Sequence, residues 1–420
     1  MKFKLNLAIL KSNLPLVLAV WFAFILIVVT ATFVLRQTTG QQFVIEAESF
    51  LAGRLDQIRP DERNFHIDTT IVEGKYYWPL GPFPAMLLTP IVLVFKTLGL
   101  TLLQGYVHFV LCVGTGIYAY LIARKFKFSI NAAIFLAIAF NFGSMFAFIS
   151  FYSQSWFFSH AVAAFLTMAG IYEYFYGKRR LSLIGILFGF IYMTRSTAAL
   201  PVIFFVIDIW RSDLPRRQRI NQILALMIPV GILVVVMMTL NQIRFGSIMD
   251  VGYGRAQVYP EILVNMRNEF GLFSIQNIVS NIYIYFFMGP DPVFAKDSWH
   301  LVSPYLRYNP IGMSFFIVAP LFTRILIHWK KLRSGKTLWM FLATLPSVFI
   351  LLCYYASGFW SYGPRYLIDV LPFWYLLLLH TYTPTYKLSK WDYRIILFSV
   401  FINIYFITHQ ASQLYWRVII

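Results

Sequence analysis

The residues of this chain best placed to do chemistry are carboxylates crowded into one short stretch. Between residues 36 and 84 lie Glu46, Glu48, Asp56, Asp61, Glu62, Asp68 and Glu73, seven of the 17 acidic residues in the 420-residue chain. This stretch follows the first membrane-length apolar run, so the acids hang on a hydrocarbon scaffold, an arrangement that suggests surface chemistry on a lipid-linked substrate. Cations that could complement them stand far downstream. Arg195 lies among apolar neighbours, where a guanidinium is costly unless it lines a polar cavity or finds a partner. Arg365 precedes Asp369 by four residues, the spacing of an intrahelical ion pair, and that pair alone would account for both residues. His160 sits just inside an apolar run, after the polar turn Tyr152, Ser153, Gln154, Ser155, where an interfacial hydrogen-bonding role competes with a functional one.

Other chemistries lack their residues. His66 and Asp68 have no further His or Cys nearby, which argues against a zinc site with dedicated ligands; no cofactor is expected, and a divalent cation is left open. No Gly-rich phosphate loop is present, which argues against a nucleotide-sugar donor used in the cytosol. Cys112 and Cys353 both fall inside apolar runs and read as small core residues rather than a disulfide framework. Aromatic residues make up 19% of the chain, mostly as lipid-facing and interfacial belts. Tyr76, Tyr77 and Trp78 are the ones to test for stacking on a sugar.

The elements that must position these groups are membrane helices. Hydrophobic residues make up 59% of the chain and charged residues 12%, with a mean hydropathy of +0.67, against about 25% charged in a soluble domain. The net charge of +18 would point to nucleic acid in a soluble chain. Here the basic residues form short clusters between apolar runs, near residues 2–11, 124–127, 178–180, 211–219, 330–336 and 387–394, and the positive-inside rule explains them without a nucleic-acid partner. If all six clusters face the cytosol, an even number of crossings separates each neighbouring pair. Crossings are expected at 14–35, 102–123, 132–149, 156–176, 220–240, 311–327, 338–356, 367–382 and 395–408. The run 181–210 would span about 45 Å as one helix against a hydrocarbon core of roughly 30 Å; a split at Thr194, Arg195, Ser196 into a short pair is preferred to the alternative of a single tilted helix. The segment 86–98, preceded by Pro79, Pro82 and Pro84, reads as a juxtamembrane or re-entrant helix.

The expected fold is therefore all-α and polytopic, with about 11 membrane helices: nine full crossings plus the short pair. It forms a single domain over 1–420, with the N-terminus cytosolic, the C-terminus extracytoplasmic, and two long outer connectors at 36–101 and 241–310.

Several segments resemble the membrane glycosyltransferases that take sugar from a polyprenyl phosphate, a GT-C-like group that includes protein O-mannosyltransferases and aminoarabinose transferases. These are Ala-x-x-x-Leu-x-Gly-Arg-Leu-Asp at 47–56, Gly-Lys-Tyr-Tyr at 74–77, the Pro-rich approach to the short helix, GFIYMTRSTAALP at 189–201, IRFGSIMDVGYG at 243–254 and YGPRYLIDVLPF at 362–373. The likeness spans nearly the whole chain. It implies a bacterial plasma-membrane enzyme that moves a sugar from a polyprenyl-phosphate donor to an extracytoplasmic acceptor by inverting displacement, with membrane lipid around it.

The resemblance also implies a general base in the first outer connector. That role needs a carboxylate within hydrogen-bond reach of the acceptor hydroxyl, and a phosphate leaving group removes the need for a second acid. Many relatives carry an Asp just after the first helix, where this chain has Gly40, Gln41 and Gln42. The base is accordingly sought at Asp56 and Asp68, with Glu48 third. The leaving phosphate calls for cations, for which Arg195, Arg365 and Lys75 are candidates and Arg255 a fourth; Tyr76, Tyr77, His160 and Tyr366 complete the expected substrate-binding set. Two rival readings are a transporter or flippase, which would show paired broken helices in two halves, and a non-catalytic relative that binds a lipid-linked sugar.

Overall fold

The computed structural model describes residues 7–58, 68–257, 261–358 and 363–419; Lys2, Lys4, Asp61, Glu62, His66 and Tyr362 lie outside the described residues. The chain opens with α1 (Leu7–Val34) and continues through α2 (Gln42–Leu51), a hairpin of β1 (Thr70–Val72) and β2 (Lys75–Tyr77), and α3 (Phe83–Thr97) to α4 (Gln104–Lys125). Next come α5 (Ile130–Asn141), α6 (Phe146–Phe151) and α7 (Ser155–Phe175). An interrupted run of α8 (Leu181–Tyr192), α9 (Ser196–Ala199) and α10 (Ile203–Trp210) precedes the long α11 (Arg216–Phe245). The second connector holds α12 (Glu261–Phe270), α13 (Asn277–Phe286) and the hairpin β3 (Asp291–Phe294) with β4 (Leu301–Arg307). After it come the short α14 (Phe315–Val318), α15 (Arg324–Ile327) and α16 (Trp329–Leu332), then α17 (Gly335–Leu342) and α18 (Leu345–Cys353). A 3-10 turn (Arg365–Asp369) leads into α19 (Leu371–His380), and α20 (Lys390–Ile419) ends the chain.

Among the described residues six helical segments are long and apolar enough to cross a membrane: α1 from Leu14, α4, α7, α11, the α17–α18 pair, and α20 as far as Gln410. The protein is a helical membrane protein. Strands are confined, among the described residues, to the two antiparallel hairpins, so the all-α expectation needs that amendment. The first hairpin turns through Glu73 and Gly74, both at positive φ (50° and 75°), the geometry a two-residue turn requires to match strand twist.

The expected crossings are interrupted in several places. The run 132–149 is not one helix, because it breaks at Phe142–Met145 between α5 and α6. The run 311–327 is three short turns around Pro320, whose ring cannot continue the preceding helix. Within 367–382 only α19 is α-helical, and its 10 residues fall short of a bilayer. Such breaks are tolerated in an apolar interior only if the released backbone groups find partners. The Asn403 amide of α20 supplies them, lying 2.9, 3.2 and 3.0 Å from the carbonyls of Phe142, Ser144 and Val318. The expected split of 181–210 falls where its length required, with Met193 to Arg195 between α8 and α9.

Helix α7 is the centre of the bundle: 78% of its apolar window is buried, against 17% for α11, which lies at the periphery. α11 nonetheless packs closely on α8. A Cβ on Gly185 would stand 2.1 Å from the carbonyl oxygen of Leu226, whereas one on Gly231, in α11 itself, would meet nothing within 4 Å. Without a hydrophobic force between helices in lipid, such close backbone approach is what holds them together. Gly185→Ala should therefore destabilise the fold by about 1–3 kcal/mol, the usual cost of overpacking, while Gly231→Ala should be neutral. Thermal unfolding in one detergent checks both.

Candidate functional site

One cavity of about 540 Å³ opens among the ends of several helices, and four of the expected site residues line it: Asp68, Arg195, Arg365 and Tyr366. They come from the first connector, the break between α8 and α9, and the 3-10 turn before α19. Its remaining wall includes Trp156 and Phe157 at the start of α7, Asn241 near the end of α11, Tyr253 from the second connector, and Tyr354 and Tyr355 after α18. These are mostly the ends of helices that lie opposite the basic clusters: α7 runs from Ser155 toward Lys178, and α11 runs from Arg216 to Phe245.

Asp68 is held by pairing between the two connectors. Its amide donates to the carbonyl of Gln257 (2.6 Å) and the Gln257 amide donates back to Thr69 (3.0 Å). Thr70 then bridges Ala256, and its hydroxyl donates to the carbonyl of Gly252 (2.8 Å). Asp68 itself has φ of 59°, a left-handed conformation that Asp adopts more readily than most residues. The indole of Trp156 donates to its Oδ2 at 2.6 Å. Burial raises the Asp68 carboxyl above the ordinary carboxylate range, and the Trp156 bond and the charges of Arg365 and Arg267 oppose that rise. Where the first connector enters α3, it docks on the α8 break: the Phe83 amide donates to Met193 (3.2 Å), and a Cβ on Gly81 would stand 2.0 Å from that same carbonyl oxygen.

The two arginines of the cavity differ in what they are bonded to. Arg195 donates from Nε and Nη2 to the two oxygens of Asp369, at 2.7 and 3.2 Å, and the Thr197 hydroxyl donates to the same carboxylate at 2.5 Å. Asp369 is thus not the helical partner of Arg365. The segment winds as a 3-10 helix, with three residues per turn, so positions four apart do not share a face. Arg365 stacks instead on Phe157 and Tyr366 (5.3 and 5.2 Å to the ring centres), and Arg195 stands 5.5 Å over the same Tyr366 ring. Among the described residues no carboxylate lies within ion-pair distance of Arg365, and its buried Nε has no hydrogen-bond partner.

The other expected residues lie elsewhere. Asp56 forms an ion pair with Arg54, which holds its carboxyl below the ordinary range. Glu48 is on α2, outside the cavity lining. Lys75 is exposed beside the hairpin turn, Tyr76 follows it, and Tyr77 packs on Phe245. None of the three lines the cavity. Trp78 is buried against Phe43 and Trp156. Arg255 pairs with Asp250 at 2.5 Å. His160 is buried behind the wall, its Nδ1 3.5 Å from Asp369 Oδ1. The residues missed were Trp156, Asn241, Tyr253, Tyr354 and Tyr355. A Trp opening a helix looks like any interfacial aromatic, and no local pattern marks it as a donor to Asp68. Among the described residues no three His, Cys, Asp or Glu side chains cluster to hold a metal.

The fold and site define a helical membrane protein with a polar, aromatic-walled cavity whose carboxylate, Asp68, and guanidinium, Arg365, form no ion pair among the described residues. No family model, characterised protein or solved structure matches the chain. Chemically, the cavity can accept a proton at Asp68 and hold an anion at Arg365.

A second buried charge stands beneath α3. Glu46 and Arg244 line a separate cavity of about 480 Å³, with Glu46 Oε1 3.6 Å from Arg244 Nη2. Burial pushes the Glu46 carboxyl up to about 8, and the Arg244 charge counters this only in part. A carboxyl whose pKa is raised by folding binds more protons folded than unfolded between the two values, so stability falls as pH rises through that interval. Wild-type protein should lose stability between pH 5 and about 8, and Glu46→Gln should flatten that decline. Thermal unfolding across the pH series measures it; parallel wild-type and Glu46→Gln curves would contradict the assignment.

Proposed function

We propose that the protein is a glycosyltransferase of the GT-C-like architecture, with about 11 membrane helices counting the short and broken ones. It moves a sugar from a polyprenyl-phosphate donor to an extracytoplasmic acceptor at a bacterial plasma membrane. The observation that carries this reading is the meeting in one cavity of a carboxylate with a raised pKa and a guanidinium that, among the described residues, has no carboxylate of its own. Its volume of about 540 Å³ falls in the range usual for small-ligand sites. The cavity end of the bundle lies opposite the basic clusters, and with those clusters in the cytosol the site faces outward. The N-terminus is then cytosolic and the C-terminus extracytoplasmic.

In the proposed reaction the acceptor hydroxyl gives its proton to Asp68 as its oxygen bonds to the anomeric carbon from the face opposite the phosphate. The carbon–oxygen bond to phosphate breaks, configuration inverts, and the charge left on the prenyl phosphate is stabilised by Arg365. Arg195, neutralised by Asp369, positions the wall beside it. The tyrosines around the cavity offer faces for the sugar.

Purified protein given a radiolabelled polyprenyl-phosphate sugar and a crude envelope acceptor tests this. Asp68→Asn should lower transfer by about 10²–10⁴-fold, the span typical of a general base, and Asp56→Asn should not. Full transfer by Asp68→Asn would sink the proposal, and tight donor binding without turnover in wild type would favour the non-catalytic reading.

The pH profile gives an independent check. A base works only deprotonated, so the rate should fall as pH drops through the raised Asp68 value, above the ordinary 3.9 or so of Asp. Removing the indole donor with Trp156→Phe leaves burial less opposed and should move that acid limb to higher pH.

A further inference from the structure

At the end of the bundle that carries the basic clusters, a separate hollow of about 370 Å³ is lined by Arg179, Asp208, Arg211, Lys336, Phe204 and Trp339, together with Ser212 and Gly335. It lies where α7, α10 and α17 end or begin, so its mouth is level with the ends of the apolar helices. Among the described residues its one carboxylate is already engaged. Asp208 accepts the Tyr174 hydroxyl at 2.6 Å and pairs with Lys336 Nζ at 3.0 Å. The two arginines are not neutralised. Arg179 donates to the Tyr174 hydroxyl (2.7 Å) and stacks over that ring at 4.6 Å, and Arg211 stands 5.0 Å over Trp339. Among the described residues neither has a carboxylate within ion-pair distance. The aromatic rings fix both guanidinium planes without cancelling their charge. Beside the hollow, Trp210 is 49% exposed, which suits a tryptophan at a membrane–water interface.

We propose that this hollow binds the phosphate of an anionic phospholipid headgroup, with Arg179 and Arg211 as its ligands and Trp210 and Trp339 at the headgroup level. A basic pocket between membrane helices on the positively charged side is a recurrent form of headgroup site, and planar guanidiniums match phosphate geometry better than ammonium groups do. The site is independent of the cavity chemistry proposed above.

Purified protein in mixed micelles, titrated with dioleoyl phosphatidylglycerol or dioleoyl phosphatidylcholine and followed by native mass spectrometry and thermal unfolding, tests this. Wild type should retain phosphatidylglycerol about tenfold or more over phosphatidylcholine. The doubly substituted Arg179→Gln, Arg211→Gln protein should lose that preference, while Arg217→Gln, an exposed arginine outside the hollow, should keep it. All three arginines are on the surface, so glutamine should leave the fold intact, and an unchanged unfolding profile in phosphatidylcholine verifies this. Equal preference in wild type and the double variant would overturn the proposal, as would equal loss in Arg217→Gln, which would mean diffuse surface attraction. A thermal shift with inorganic phosphate alone matching that with phosphatidylglycerol would assign the hollow to free phosphate and overturn the lipid assignment.

Discussion

The neutralisation of Arg195 by Asp369 is the interaction on which the rest of the cavity depends. A guanidinium inside an apolar bundle is costly unless it lines a polar cavity or finds a partner, and removing one partner of a buried ion pair typically costs about 3–5 kcal/mol because the other charge is left uncompensated. Here both partners sit at interruptions: Arg195 between α8 and α9, Asp369 at the end of the 3-10 turn before α19. Thr197 adds a bond to the same carboxylate, and the Ser347 hydroxyl of α18 donates to the Thr197 carbonyl at 2.8 Å. Three separate segments are thereby closed around one charge. The unwound backbone that they share is what leaves room for a cavity.

That pairing has a consequence for Arg365. Had the turn continued as an α-helix, Asp369 would have been within reach of Arg365 on one face, and Arg195 would have been the unmatched charge. The tighter winding sends Asp369 inward and leaves Arg365 against two aromatic rings. Ring faces attract a cation without the strong directional hold of a carboxylate, so the Arg365 charge stays available to an anion. One acidic residue within sequence reach of two possible arginine partners thus pairs with Arg195 and leaves Arg365 without a carboxylate among the described residues.

The sequence made the membrane scaffold legible because its signal is additive: long apolar runs and basic clusters repeat many times, and no single residue decides the reading. The break at Arg195 was legible for the same reason, since 181–210 is longer than a bilayer is thick. The break around Pro320 carried a local mark in the proline itself, but the one at 142–145 was hidden, because what accommodates it is Asn403, remote in sequence and unmarked by any local pattern. The same distinction applies to the site. Asp68, Arg195, Arg365 and Tyr366 could be nominated by type and neighbourhood. Their sorting could not, because the Arg365–Asp369 spacing mimicked a helical pair and Trp156 resembled an interfacial belt residue.

Asp56 and Asp68 show why connector carboxylates cannot be ranked by position alone. Both follow α2 in the same segment, and among the described residues each accepts a hydrogen bond from one neighbouring side chain. The donor to Asp56 is the charged Arg54, which stabilises the carboxylate and makes it a weak base. The donor to Asp68 is a neutral indole, which fixes the oxygen in space while burial keeps the carboxyl's affinity for a proton high. Orientation by a neutral donor, with no counter-ion within ion-pair distance among the described residues, is what separates Asp68 from the ion-paired Asp56. The ladder from Asp68 to Gln257 and from Thr70 to Ala256 ties the second connector to the first and helps hold the carboxylate against the start of α7.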